Sequence, residues 1–180
     1  MKNPSVLLTL ALLVLAGCTD QHDNAQVAQS QQMPQQAKAP ISMRATDARI
    51  AGLAARSVDC NIESANDEGF EPNTPTLSMN EPIRISGWLI DVASKTVPAN
   101  AVLRVETESG DKAWEQKVSE WGNRGDVVAT HGNVKAYLDS GFQVTIELGG
   151  LAPGAYNVYM AYRVAGQESA CGVGRRFNLK

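Results

Sequence analysis

The sequence predicts an all-β domain, an antiparallel β-sandwich of about seven strands over residues 58–180. Three stretches carry that prediction. Phe142, Val144, Ile146 and Leu148 alternate with Gln143, Thr145 and Glu147, the period of two that gives a strand one buried and one wet face. After a turn at Leu151-Ala152-Pro153-Gly154 the alternation resumes through Tyr156, Val158, Met160 and Tyr162. Upstream, Ala101, Leu103 and Val105 alternate with Val102, Arg104 and Glu106. Such strands each have an apolar face to bury, and a second sheet packed on the first buries all of them at once.

The residues before the domain read differently. Met1 and Lys2 give a positive amino end, and Val6 to Ala16 is apolar apart from Thr9. That run is shorter than the roughly 20 residues a transmembrane helix needs. It fits a secretory signal peptide over residues 1–17. Leu15-Ala16-Gly17-Cys18 resembles the lipobox of bacterial lipoproteins. The resemblance implies a cut before Cys18 and a diacylglycerol on its thiol. Each buried CH₂ of such lipid contributes about 0.8 kcal/mol, and two or more chains anchor stably where one does not. It also implies an address in the cell envelope, periplasmic or at the surface. The outer membrane is favoured, because Thr19 follows the cysteine and the aspartate comes one later, at Asp20.

Residues 18–44 are then the lipidated cysteine and a Gln-rich tether, read as disordered for lack of apolar surface to offset its ordering entropy. Residues 45–57 read as a short helix, with Thr46 as its cap and Ile50, Leu53 and Ala54 on one face, although Gly52 counts against it. Within the domain, Ile83, Ile85 and Leu89 alternate, with an interruption at Gly87-Trp88. Val127 to Tyr137 is the least strand-like stretch and reads as a loop or a short helix. Gly166 precedes a last strand around Cys171 to Leu179.

With Cys18 assigned to lipid, Cys60 and Cys171 remain as an even pair in an oxidising compartment. They read as a disulfide, with two buried free thiols as the alternative. A bridge there closes a loop of about 110 residues and stabilises by roughly 4–5 kcal/mol on the chain-entropy account.

Gly87-Trp88 with Asp91, Arg124, Asp126-Val127, Gly141-Phe142, Leu151 and Pro153-Gly154 follow one another in that order. This order resembles an immunoglobulin-like β-sandwich module that recurs in bacterial envelope and surface proteins. The likeness covers about Ile83 to Tyr162, and Gly125 stands where the module often has proline. It implies a fold and no single activity. On that reading Trp88 packs in the core, turned inward by a bulge at Gly87, and Phe142 is core as well. Arg124 and Asp126 tie a long loop to the sandwich, with a ligand or partner contact as the alternative. The tripeptide Arg124-Gly125-Asp126 is too short to carry an adhesion reading.

Chemistry is harder to find. Nucleophilic catalysis needs a Ser, Cys or Thr beside a base and an orienting group. After the signal peptide there are two histidines: His22 lies in the tether, and His131 reads as a loop residue. Glu106 and Glu108 share a strand face and form a carboxyl pair of the type glycosidases use, and read more simply as that strand's solvated face. No cysteine or histidine lies at metal-ligand spacing from Cys60 or Cys171, and no cofactor motif is present. The net charge of −3, without a basic stripe, argues against nucleic acid. The expected function is therefore a non-enzymatic, membrane-anchored module that binds an envelope protein partner. The alternative is a polysaccharide binder that stacks sugars on Trp114 and Trp121.

Overall fold

The computed structural model describes residues 41–46, 54–55, 58–147, 149–164, 167–171 and 175–180. Two sheets face each other. One has the order β1 (Ile41–Ser42), β11 (Gly141–Glu147), β7 (Ile83–Asp91), β4 (Val58–Ala65) and β5 (Glu68–Gly69), with β10 (Trp121–Gly122) also paired to β11. The other runs β2 (Arg44–Thr46), β9 (Ala113–Lys117), β8 (Val102–Thr107), β12 (Gly154–Val164), β13 (Gln167–Ala170) and β3 (Ala54–Ala55). There β14 (Arg175–Leu179) also pairs with β12, and β6 (Thr76–Leu77) with β14. Among the described residues, β4, β7, β8, β9, β11, β12, β13 and β14 are longer than three residues. The sandwich of about seven strands is thus present, with short edge strands added. Pairing is antiparallel except for β1 on β11, β3 on β13 and β6 on β14.

The alternating residues form the core as the pattern requires. Phe142, Val144 and Ile146 from β11 face Leu103, Val105, Tyr156, Val158, Met160 and Tyr162 from the other sheet. Tyr156 stacks on Phe177 of β14, with ring centroids 5.6 Å apart. The bridge Cys60–Cys171 is formed and crosses from β4 to the end of β13, with Cα atoms 6.1 Å apart.

Several expectations are corrected. Strands that precede residue 58 join the sheets: β1 pairs with β11 and β2 with β9. Thr46 and Ala54-Ala55, placed above in a short helix, lie in strands. The rest of that segment, residues 47–53 and 56–57, lies outside the described residues, as do the signal peptide, Cys18 and the tether up to residue 40.

Trp88 is not in the main core. β7 keeps strict alternation, with Ile83, Ile85, Gly87 and Leu89 facing in and Trp88 facing out. The bulge lies on the partner strand, where the β4 register shifts between Ile62 and Ser64. Gly87 is required there for a different reason: a Cβ on it would lie 2.1 Å from the Asn61 carbonyl oxygen. Trp88 instead sits with Ile90 in a second, smaller core on the sheet's outer face, with Val127, Val128, Val134 and Tyr137 packed over it. Val127 and Val128 belong to α1 (Gly125–Thr130) and Tyr137 to a 3-10 turn at Lys135–Tyr137, which Val134 caps; the two elements cover most of the least strand-like stretch.

The outer face of β8 is also drier than its pattern implies. Arg104 is 1 % exposed and Glu106 5 %. Arg104 is held by Glu115 of β9 and Glu168 of β13, each 3.2 Å from its Nη2, so opposite charges from neighbouring strands offset its desolvation. Glu108 is exposed and pairs with Arg176.

Candidate functional site

The bulge on β4 creates the site. An extra residue in one strand re-aims a side chain and bends the strand. Here the extra residue is Glu63, between the paired positions Ile62 and Ser64. Its carboxylate accepts two hydrogen bonds from Arg124, at 3.0 Å from Nη1 and 2.9 Å from Nη2. The same guanidinium donates through Nε and Nη2 to Asp126 at 2.9 and 2.7 Å. Paired, planar contacts of this kind are among the stronger ion pairs. Arg124 therefore pins the start of α1 to β4. Its side chain lies across Gly141, where a Cβ would approach the Arg124 Cγ to 2.9 Å.

A second pin holds the far end of α1. His131, its C-terminal cap, places Nε2 3.2 Å from the Asp59 carboxylate and Nδ1 3.0 Å from the Val127 carbonyl. Its ring meets Trp88 edge-on, with centroids 5.2 Å apart. His131 lies in the turn after α1, in line with its reading as a loop residue, and there it ties helix to sheet. Thr130 Oγ1 lies 2.9 Å from Nδ1, which superficially resembles a nucleophile–base–acid row. The hydroxyl also donates to the Asp126 and Val127 carbonyls, as a helix-end threonine does.

Between the pinned loop and the sheet lies an open groove of about 390 Å³, lined by Glu63, Ser86, Gln143, Trp121, Asn123 and Arg124 among others. Gly87, Gly122 and Gly141 also border it. Trp121 is half-buried and meets Phe142 edge-on at 6.5 Å, so its ring is held by the core. Trp114 is half-buried too, but stands on β9 of the other sheet against Tyr156 at 6.3 Å. The structure therefore does not present the two tryptophans as an exposed pair. Of the four residues singled out in the sequence, Trp121 and Arg124 line the groove, Asp126 stands behind Arg124, and Trp114 is not among the lining residues. Glu63, Gln143 and Ser86 were missed. Only the bulge aims Glu63, and nothing in a single sequence signals that bulge.

Among the described residues no group of three or more His, Cys, Asp or Glu is placed to hold a metal ion. Likewise no described helix is long and apolar enough to cross a membrane.

The ion pair makes a testable electrostatic statement. Hydrogen bonds from Arg124 pull the Asp126 carboxyl down from 3.8 to about 2. Because the folded value is depressed, Asp126's share of stability is present above pH 4 and is lost as pH falls through about 2. Carboxyl-carbon NMR should find Asp126 titrating near 2, and an Arg124→Ala variant should return it toward 3.8. An unchanged midpoint in that variant would rule out the pairing in solution.

Comparison of the chain with protein-family models, curated proteins and solved structures finds no match.

Proposed function

We propose that this chain is a lipid-anchored cell-envelope protein whose sandwich is a non-enzymatic accessory module that docks a protein partner. The groove carries this reading. It sets an aromatic ring, Trp121, beside the hydrogen-bonding groups of Ser86, Asn123, Gln143 and Glu63, the mixture typical of recognition sites. Its wall is rigid, because Arg124 and His131 fasten α1 to β4 and the disulfide ties β4 to the opposite sheet. Preorganised surfaces lose less entropy on binding. The groups that would otherwise serve chemistry are engaged in structure: Arg124 bonds two carboxylates, and both His131 nitrogens have partners.

The immunoglobulin-like assignment of the sandwich belongs to the same proposal. Two features support it: the inter-sheet disulfide, and the Tyr156 hydroxyl donating to the Ala152 carbonyl at 2.7 Å, akin to a tyrosine corner. Trp88 departs from that pattern, packing on the outer face and not against the bridge.

A second reading, a glycan on Trp121, is favoured by the neutral amides of Gln143 and Asn123 in the groove.

The test is crosslinking in intact cells, purification from solubilised envelopes and mass spectrometry, with a Cys18→Ala form as control. Labelled palmitate should enter the wild-type chain and not the variant. One dominant protein, lost from the control, is the expected result. Absence of any protein above the control background would sink the docking reading, and absence of label would sink the anchor.

A further inference from the structure

The groove's wall is rigid only while it is fastened, and side chains alone fasten it. Asn123 and Arg124 line the groove and open the segment that carries α1 and the 3-10 turn. That segment closes on itself. The Arg124 amide donates to the Leu138 carbonyl at 2.6 Å, which makes Arg124–Leu138 a compact loop with its ends together. Among the described residues, the main-chain hydrogen bonds of this loop stay within it or reach the adjoining Ser140. Val128 donates to Arg124, His131 to Val127 and Tyr137 to Val134. None goes to a strand.

The strands of the sandwich cannot leave without breaking a ladder of main-chain bonds. This loop breaks none. A small core and two ion pairs hold it down. The core sets Val127 and Tyr137 on Ile90, with Trp88, Val128 and Val134 at its margin. The ion pairs join Arg124 to Glu63 and His131 to Asp59, whose side chains are 38 % and 55 % exposed. Water reaches both pairs and limits what each contributes. α1 brings little stability of its own, with six residues and no side-chain bond at its N-cap. Segments held by few buried contacts open before the whole domain does.

We propose that the Arg124–Leu138 loop is a gate. It leaves the sheet as one unit while the sandwich stays folded, hinged where Gly122 and Gly141 pair across β10 and β11. Closed, it completes the groove. Open, it carries Asn123 and Arg124 away from the groove and uncovers Trp88 and Ile90. The gate's use in docking rests on the reading above, but its opening does not.

The experiment is thiol labelling of the full chain after residue 17, carrying Cys18→Ala. The Cys60–Cys171 bridge then leaves an introduced probe as the free thiol. Val127→Cys puts the probe under the loop, where the native side chain is 2 % exposed, and Val158→Cys puts it between the sheets, at 0 %. With excess maleimide and no denaturant, the Val127→Cys thiol should react at least about tenfold faster, because only the gate has to open. Its rate should change less than about twofold in 1 M urea, while the Val158→Cys rate rises at least about fivefold with the surface that full unfolding exposes. Adding Glu63→Gln should speed Val127→Cys labelling about two- to fivefold, the contribution of an exposed pair. Trypsin checks the loop without a probe, since a protease needs an extended segment. Read by mass spectrometry, it should cut after Lys135 at least about tenfold faster than after Arg104 in β8.

Equal rates and equal urea slopes for the two thiols would mean that the loop leaves only with the whole domain, which overturns the proposal. Fast Val127→Cys labelling without preferred cleavage at Lys135 overturns it too, because the substitution and not the native loop would have opened. A rate unmoved by Glu63→Gln overturns the pinned gate. Each of these failures leaves the docking reading standing, because the crosslinking experiment reads capture and not motion.

Discussion

Gly87→Ala is expected to destabilise the domain by about 3 kcal/mol or more, at or beyond the upper end of ordinary overpacking. The added methyl would lie 2.1 Å from the Asn61 carbonyl oxygen and 3.0 Å from the Ile62 Cα. Both are backbone atoms, so no rotamer change can relieve the contact. Relief requires β4 to move away from β7 at the pair Ile62–Gly87, next to the bulge. That movement also displaces Glu63, hence Arg124 and the start of α1. The companion change, Gly122→Ala, adds the same methyl where nothing lies within 4 Å and should fall within about 0.5 kcal/mol of wild type. Urea unfolding of both variants checks the pair, read as midpoints at constant slope. A Gly87→Ala midpoint within 1 kcal/mol of wild type would mean that β4 and β7 do not approach as described.

Legibility in the sequence followed periodicity. β11 and β12 each bury every second residue, and a period of two is visible in a single chain. β1, β2 and β3 are two or three residues long and leave no period to read. Their residues become strands only because β11, β9 and β13 offer them edges. Trp88 was misplaced because a large aromatic beside a glycine suggests an inward turn. Alternation through Gly87 in fact sends it outward, where Val127 and Tyr137 cover it. A second core on an outer face cannot be told from a solvated face without knowing what crosses it. The groove was half visible: Trp121 and Arg124 stand out by residue type, but Glu63 and Gln143 become neighbours only through the pairing of β4, β7 and β11. The outer face of β8 shows the same limit. Arg104 has the spacing of a solvated residue, and two carboxylates on adjacent strands allow it to be 1 % exposed.

Removing the Cys60–Cys171 bridge by a double change to alanine should cost about 4–5 kcal/mol. The bridge spans 111 residues, so its loss frees nearly the whole sandwich in the unfolded state. In the chain-entropy account that freedom is the source of the effect, and the folded state need not change. Packing adds a smaller share, since Cys60 and Cys171 are 8 % and 2 % exposed and their sulfurs leave unfilled space. Against a total of roughly 5–15 kcal/mol for a domain, the variant should remain folded in dilute buffer but with a much lower urea midpoint. Its groove should persist, with the Trp121 indole shift near its wild-type value. A loss under 1 kcal/mol would mean that the unfolded chain already holds these ends together. The two large effects should also couple. Cys60 pairs with Leu89 and Ile62 with Gly87 on the same two strands, well inside the distance at which mutational energies stop adding. With the bridge absent, β4 is freer to move from the methyl at position 87, so the combined loss should be smaller than the sum. Exact additivity would place the strain of Gly87→Ala elsewhere than in the spacing of β4 and β7.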